Sequence, residues 1–191
     1  MPAPKDAPHC TVTCGTEICR QTGLINVCQL ACSAAAQPTQ GFAPLTVNFA
    51  TLMQPGCAGT VTYDWYFGDG TAHSAAREVS HTYTAAGVYT WTMTATVNGL
   101  VCTETGTIYV CALACTASGP TTGKAGVPVS FSSTSTLTHC AGTPEYSWTF
   151  GDGQSSFLQN PTHTYANGGT YVWTLTVREA GATCSRTGTI V

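Results

Sequence analysis

The sequence predicts an all-β protein made of two small antiparallel β-sandwiches in tandem, preceded by an N-terminal strand pair. Residues 63–91 and 146–173 carry nearly the same pattern about 83 residues apart, and self-similarity at a fixed period indicates one folding unit used more than once. Both copies contain short stretches in which apolar residues alternate with polar ones, and no segment shows a sustained helical period. Frequent threonine and glycine favour strands and tight turns over helices.

The strongest single strand signal is the stretch 89–97, where apolar side chains alternate with threonine. This period of two predicts a strand with one face in a core and the other in water. The same stripe recurs at residues 171–177, and shorter stripes occur at residues 63–67, 146–150, 47–49 and 129–131. Several short alternating strands with regular turn signals between them are typical of a small β-sandwich.

Composition and charge exclude several classes of protein. The chain has 191 residues with a formal net charge of −3, which gives no electrostatic reason to expect nucleic acid or an anionic membrane as partner. No run approaches the roughly 18 consecutive apolar residues of a membrane span. Apolar residues make up 43% of the chain, which is enough for packed cores, so the chain is not predicted to be disordered.

Eleven cysteines among so few charges point to an oxidising compartment, so we expect a secreted or cell-surface protein. The repeat register places Cys57 and Cys102 at the positions of Cys140 and Cys184. We therefore predict the disulfides Cys57–Cys102 and Cys140–Cys184, one within each domain. Closing loops of this length would stabilise each domain by about 4 kcal/mol.

Three C-x3-C segments account for six of the seven remaining cysteines, and Cys19 lies outside them. Two of them are predicted to form bridges, Cys28–Cys32 and Cys111–Cys115, and each bridge requires a turn that brings its Cα atoms within about 7 Å. The pairing of Cys10, Cys14 and Cys19 stays open. Because eleven is odd, one cysteine should be free or bonded to another molecule. Zinc is the competing interpretation, but the spacing is not C-x2-C and no histidine is arranged alongside, so disulfides are favoured and no metal or cofactor is predicted.

The repeat register runs back into the first thirty residues. Between Cys19 and Cys32, nine residues are identical to those 83 positions later, between Cys102 and Cys115, including all three cysteines and the glycine. Residues 10–27 therefore resemble the last strand pair of a further repeat, and a lone hairpin is at best marginal in water. We expect this hairpin to dock on another part of the protein or to add to the sheet edge of a neighbouring molecule.

A motif of Trp-x-Phe-Gly-Asp-Gly, followed by His-x-Tyr and Gly-x-Tyr-x-Trp, occurs once in each copy. At these residues the chain resembles the PKD domain, an Ig-like β-sandwich. The resemblance implies two such domains at residues 33–110 and 116–191, an N-terminal extension over residues 1–32 and a linker over residues 111–115. It also implies a non-catalytic protein, since members of this family resemble spacers, adhesion modules and polysaccharide- or protein-binding accessory modules of secreted enzymes.

The motif residues are predicted to have structural roles. Asp69 and Asp152 lie between glycines, where a carboxylate can accept hydrogen bonds from turn amides. Tyr83 and Tyr165 fall where a sandwich can use a buried ring whose hydroxyl is tied to backbone. His81 and His163 are interpreted as hydrogen-bonded turn residues. The full set of predicted fold-motif residues is Trp65, Gly68, Asp69, Gly70, Tyr83, Trp148, Gly151, Asp152, Gly153 and Tyr165.

The sequence favours two other interpretations less, a calcium site and a sugar-binding platform. Calcium would need several converging carboxylates, and the available ones, Asp64, Asp69, Glu145 and Asp152, form no acidic cluster in sequence. Trp65, Trp91, Trp148 and Trp173 could form a sugar platform, but each lies in an apolar alternation, which indicates a core position.

No catalytic motif is present, so the chain is not predicted to be an enzyme. The leading hypothesis is a non-catalytic, secreted structural protein. In it, a disulfide-stapled rod of PKD repeats serves as a building block of a surface, an extracellular filament or an adhesion structure. Self-association through residues 10–27 would follow from this hypothesis. The alternative is a polysaccharide- or protein-binding accessory module of a larger secreted enzyme or adhesin.

Overall fold

The computed structural model describes residues 10–14, 17–21, 30–52 and 59–191, and every regular element in these ranges is a β-strand. The all-β prediction is confirmed. The strands are β1 (Cys10–Cys14), β2 (Glu17–Gln21), β3 (Ala34–Gln37), β4 (Gln40–Phe42), β5 (Leu45–Thr51), β6 (Thr62–Tyr66), β7 (Glu78–Tyr83), β8 (Gly87–Val97), β9 (Leu100–Ser118), β10 (Val129–Ser130), β11 (Ser132–Thr138), β12 (Glu145–Thr149), β13 (Ser155–Ser156), β14 (Thr162–His163), β15 (Tyr171–Glu179) and β16 (Ala182–Ile190).

The first sandwich packs two sheets face to face. One sheet has the order β3-β5-β7, and the other contains β6, β8 and β9 with the short strand β4 added parallel to β9. Apart from β4, all of these pairings are antiparallel. The burial of β5 and β8 alternates along each strand, so one face of each sheet forms the core.

The second sandwich repeats this arrangement. Its larger sheet has the order β13-β12-β15-β16, and its other face is made by the pairs β9–β11 and β10–β14. The counterpart of the β4 pairing is made by loop residues: the Val191 amide donates to the Thr121 carbonyl and the Gly123 amide to the Val191 carbonyl, at 3.0 and 2.9 Å. The two domains therefore share one topology.

Strand β9 belongs to both sandwiches. Its first part, residues 100–110, pairs with β8 in the first domain, and residues 112–118 pair with β11 in the second. A strand of 19 residues spans about 60 Å, so the last strand of one domain continues without a break as the first strand of the next. The turn that we predicted for the linker at residues 111–115 is wrong, since these residues lie in the middle of β9.

Each sandwich has its own aromatic core. Phe49, Trp65 and Trp91 meet in the first core with ring centroids 5.4 to 5.8 Å apart. Phe131, Trp148 and Trp173 repeat this cluster in the second core at 5.4 to 5.9 Å. All four tryptophans are buried, which confirms their predicted core positions and removes the sugar platform that they could have formed.

The predicted N-terminal hairpin is present as β1 and β2. Its register is that of the β8–β9 pair and of the β15–β16 pair, including a connection of two residues. The first and last pairs are Cys10↔Gln21 and Cys14↔Glu17 in the hairpin, against Met93↔Glu104 and Val97↔Leu100 in the first domain. Among the strands that the structure describes, β1 pairs with β2 alone, whereas β8 also pairs with β6.

The disulfides join different partners from those predicted. Cys32 is bonded to Cys102 and Cys115 to Cys184, with Cα atoms 5.7 and 5.9 Å apart. Each bridge ties the first strand region of a sandwich to its last strand, at the edge of the core. The predictions Cys57–Cys102, Cys140–Cys184 and Cys28–Cys32 are therefore wrong, because Cys102, Cys184 and Cys32 have other partners. Cys28 and Cys57 themselves lie outside the described residues.

The third bridge joins Cys111 to Cys140, with Cα atoms 5.5 Å apart. The predicted bridge Cys111–Cys115 is wrong for a geometric reason. In an extended strand, residues four apart are separated by about 13 Å, which is beyond the reach of a disulfide. The side chains of Cys10, Cys14 and Cys19 lie outside the described part of the structure.

The part of the chain that the structure describes contains no helix of the length and hydropathy required to cross a bilayer.

Candidate functional site

The feature that both domains build with the same geometry is the Gly-Asp-Gly turn after β6 and β12. Gly68 and Gly70 have φ of 84° and 78°, and Gly151 and Gly153 have φ of 86° and 91°, a region that side chains with a Cβ rarely adopt. The first glycine of each turn also lies against the neighbouring strand. A Cβ on Gly68 would collide with the Thr90 carbonyl oxygen, whereas Gly70 faces open space.

The aspartate between the glycines closes the turn and binds a histidine. In the first domain, Asp69 Oδ1 accepts hydrogen bonds from the Thr71 amide and hydroxyl at 3.1 and 2.6 Å. Its other oxygen, Oδ2, accepts from Nε2–H of His81 at 2.7 Å. In the second domain, Asp152 accepts from the Gln154 amide at 3.1 Å and from His163 at 2.7 Å.

These contacts keep both carboxylates ionised. Burial alone would raise the pKa of the Asp69 carboxyl, but the hydrogen bonds from Thr71 and His81 outweigh burial and lower the pKa below 3.8. The pKa of Asp152 is lowered in the same way, with burial opposed by the Gln154 amide and by His163. The Asp69 and His81 side chains are 13% and 14% exposed, so solvent competes only in part for their hydrogen bond.

The histidine is held by rings on two sides. The His81 ring stacks on the Phe67 ring with centroids 4.1 Å apart and an interplanar angle of 4°. The His81 and Tyr83 rings meet edge to face, with an interplanar angle of 88°. His163 makes the same contacts with Phe150 and Tyr165, at 4.1 Å and 2° and at 88°. Since the imidazole is fixed in its plane, its hydrogen bond holds the aspartate in one orientation.

The tyrosine ties the cluster to the strand that precedes the turn. The Tyr83 hydroxyl donates to the Phe67 carbonyl oxygen at 2.9 Å, and the Tyr165 hydroxyl donates to that of Phe150 at 3.1 Å. Burial raises the pKa of both hydroxyls, and neighbouring Asp69 and Asp152 raise it further. Both tyrosines therefore stay protonated donors, and the four groups together clamp the turn against the core.

The sequence motif contained more than we inferred from it. Aspartate and histidine were interpreted as separate turn residues, whereas in both domains they form one pair. The signal that could have revealed this pair is the nearly constant spacing from Asp69 to His81 and from Asp152 to His163. Side chains that recur together at nearly constant spacing in two copies are candidates for mutual contact.

The remaining carboxylates do not converge on these turns. Asp64 lies on the outer face of β6, where His73 Nδ1 is 3.0 Å from its oxygens and both side chains are about half exposed. Glu145 pairs in register with Arg178. In residues 30–52 and 59–191, no group of three His, Cys, Asp or Glu side chains is arranged to hold a metal ion. The clustered residues are therefore suited to fixing a turn, which is a structural role.

Replacing both aspartates, Asp69→Asn and Asp152→Asn, should reduce stability in a pH-dependent way. At pH 7 each substitution removes charge-assisted hydrogen bonds and should lower the free energy of unfolding by about 2 kcal/mol. Because the folded pKa is depressed, this contribution is complete above the unfolded pKa of 3.8 and disappears as pH falls through the lower folded value. Urea unfolding at pH 7 and at pH 2.5 measures the loss in free energy of unfolding and its decrease in acid. The substitution Asp64→Asn, at an exposed carboxylate, is the control.

An equal loss of stability at the two pH values would contradict the prediction that the Asp69 and Asp152 carboxylates are ionised at pH 7. The difference in free energy of unfolding between the variant and the natural chain should shrink in acid.

Comparison with known proteins places this geometry in a family. The family model described as "PKD domain" matches residues 32–111 and again residues 114–191, which together include both turns. Collagenase ColA of Bacillus cereus is 39% identical over 62 residues, covering 32% of this chain and 6% of the collagenase. The chain thus spans a small part of that relative's length.

Among solved structures, three N-terminal domains of the outer capsid protein Hoc of bacteriophage RB49 align with a TM-score of 0.46 and 13% identity. This alignment covers 85% of this chain and 59% of that one. The PKD domain of human SorCS2 aligns with a TM-score of 0.37 and 17% identity, covering 56% of this chain and 95% of that domain. The family match includes most of the chain, and the resemblance inferred from its sequence motif is confirmed: this chain belongs to the PKD-domain family and contains two such domains in tandem.

Proposed function

We propose that this chain is a secreted, non-catalytic structural module, a stiff rod of PKD domains that holds its neighbours at a fixed spacing and orientation. The observation that carries the proposal is strand β9, which serves two sandwiches at once. Domains joined by a flexible linker move independently by default. Here the joint is a continuous strand whose backbone is hydrogen-bonded to neighbouring strands before and after residue 111. Bending the joint would therefore break backbone hydrogen bonds.

A covalent brace crosses the same joint. Cys111 is 2% exposed and its backbone pairs in register with Phe42 of the first domain. Its sulfur is bonded to Cys140, which follows β11 of the second domain. The bridge fastens the end of one sandwich to a loop of the next, so the joint is held by both main-chain hydrogen bonds and a covalent bond. This arrangement suits a protein that transmits orientation from one domain to the other.

The extracellular location is part of the proposal. Three disulfides within the described residues are typical of an oxidising compartment. The collagenase that matches one stretch of this chain is itself much longer than the match. Both facts support a module that belongs to a larger extracellular assembly or protein.

If the chain is a rod, its two domains should move as one rigid body in solution. Residual dipolar couplings of backbone amides should fit a single alignment tensor for the two domains of the natural chain, because β9 and the Cys111–Cys140 bridge fix their orientation. The variant Cys111→Ser/Cys140→Ser keeps β9 but loses the covalent brace, so its couplings should fit a single tensor less well than those of the natural chain. The control Cys115→Ser/Cys184→Ser removes a bridge within the second domain and should keep one tensor. Two different tensors in the natural chain would overturn the rod.

The N-terminal hairpin supports a role in assembly. In each domain the strand equivalent to β1 has a second partner, β6 for β8 and β12 for β15. Strand β1 has the same register toward β2 as these strands have toward theirs, and its other edge is unpaired among the described strands. An unpaired edge is a template for strand addition. We propose that copies of the chain associate through this edge into a filament.

Deleting residues 1–27 should abolish self-association, whereas deleting residues 1–9 alone should leave it intact because the hairpin remains. Sedimentation velocity over a range of concentrations measures the difference. A natural chain that stays monomeric at all concentrations, or a 1–27 deletion that still associates, would remove the assembly role and leave the rigid module.

A further inference from the structure

The second domain exposes two large apolar side chains on a loop whose counterpart in the first domain has two alanines. Phe157 and Leu158 follow β13 and are 78% and 67% exposed, the two most exposed large apolar side chains that the structure describes. Ser156 pairs with Trp148 as Ser74 pairs with Trp65, so Phe157 and Leu158 occupy the positions of two alanines, residues 75 and 76, in the first domain. The exposed apolar pair is therefore not a requirement of the fold.

This loop is fixed in place from within the domain. The Ser133 amide donates to Asn160 Oδ1 at 2.8 Å and the Ser133 hydroxyl donates to the Gln159 carbonyl at 2.8 Å. The Gln159 side-chain amide donates back to the Ser133 carbonyl at 3.2 Å. Leu158 N–H bonds to the Ser156 hydroxyl at 3.3 Å. A loop anchored in this way presents its apolar side chains at little further cost in conformational entropy.

Phe157 forms one wall of a surface groove of about 740 Å³. The rest of the lining is Pro144, Glu145, Tyr146, Ser147, Thr176 and Arg178, on the adjoining strands β12 and β15 and the residue before β12. Leu158 is not part of this lining. The groove thus combines one exposed aromatic ring with hydroxyls, a carboxylate and a guanidinium group.

The chemistry of the lining indicates what would fit. Glu145 and Arg178 are opposed in register on β12 and β15, and their charges cancel, so the groove has no net attraction for a polyanion or a polycation. Arg178 offers donors, Glu145 offers acceptors, and Ser147 and Thr176 offer hydroxyls that are both. A sugar ring has an apolar face of C–H groups that covers an aromatic ring and a rim of hydroxyls that needs mixed donors and acceptors.

We propose that this groove of the second domain binds a neutral polysaccharide, with Phe157 stacking on a sugar ring and Arg178 and Glu145 bonding its hydroxyls. A protein partner fits less well, because a specific protein interface buries about 800 Å² on each side around a cluster of apolar residues. The groove contains one exposed large apolar side chain. The site is independent of the rod, since it uses no residue of the joint between the domains.

Native affinity electrophoresis of the full chain tests the site, with hydroxyethylcellulose, galactomannan or amylopectin in the gel and alginate as an anionic comparison. At least one neutral polymer should retard the natural chain. Phe157→Ala should weaken the apparent dissociation constant by roughly ten-fold, because a stacked aromatic ring contributes at this level. Leu158→Ala, which changes an exposed apolar side chain of the same loop outside the groove, should bind like the natural chain.

Four results would overturn the proposal. They are no retardation by any of the three neutral polymers, an equal loss of binding in Phe157→Ala and Leu158→Ala, preferential binding to alginate, and a self-association that Phe157→Ala abolishes. The last result would assign the surface to a second copy of the chain. Amide spectra of both variants that match the natural chain away from residues 155–161 would show that any loss of binding is not a loss of folding.

Discussion

The strand that two domains share is the constraint on which the rest of this structure depends. Because β9 must satisfy main-chain hydrogen bonds to β8 in one half and to β11 in the other, the two sandwiches cannot rotate independently without breaking pairs. The bridge from Cys111 to Cys140 lies at the point where β9 changes partners. Hydrogen bonding and covalent chemistry therefore restrain the same few residues.

Within each sandwich, a hydrogen bond between an aspartate and a histidine holds the Gly-Asp-Gly turn. Asp69 orients His81, His81 packs on Phe67, and Phe67 belongs to the same core as the tryptophans. The second domain repeats every member of this chain of contacts. Both turns share the histidine and the amide two residues after the aspartate, whereas the Thr71 hydroxyl bond of the first turn has no equivalent donor in Gln154, so the hydroxyl is the dispensable member.

Sequence patterns were sufficient for the fold but not for the covalent framework. Alternation and the repeat predicted the strands, the buried tryptophans and the N-terminal hairpin, because these depend on local periodicity. From the repeat register we predicted Cys57–Cys102, although Cys32–Cys102 is equally consistent with that register, and only the strand order decides between the two pairings. Likewise, the Cys-x3-Cys spacing suggested a turn at residues 111–115. The sequence alone did not reveal that these residues are extended, because the continuity of β9 depends on pairing with strands distant in sequence. The Phe157 groove depends on side chains from separate strands, which no single stretch of sequence brings together.

The position of the intradomain bridges has a mechanical consequence. A pull on the chain at Cys32 passes through sulfur to Cys102, along β9 to Cys115, and through sulfur again to Cys184. This covalent path bypasses nearly all of both sandwiches, and its peptide segment is already extended over about 45 Å. Tension applied across the oxidised molecule would therefore be carried by bonds rather than by the packing of either core. The protein would lengthen very little under load, whereas its reduced form could unravel domain by domain.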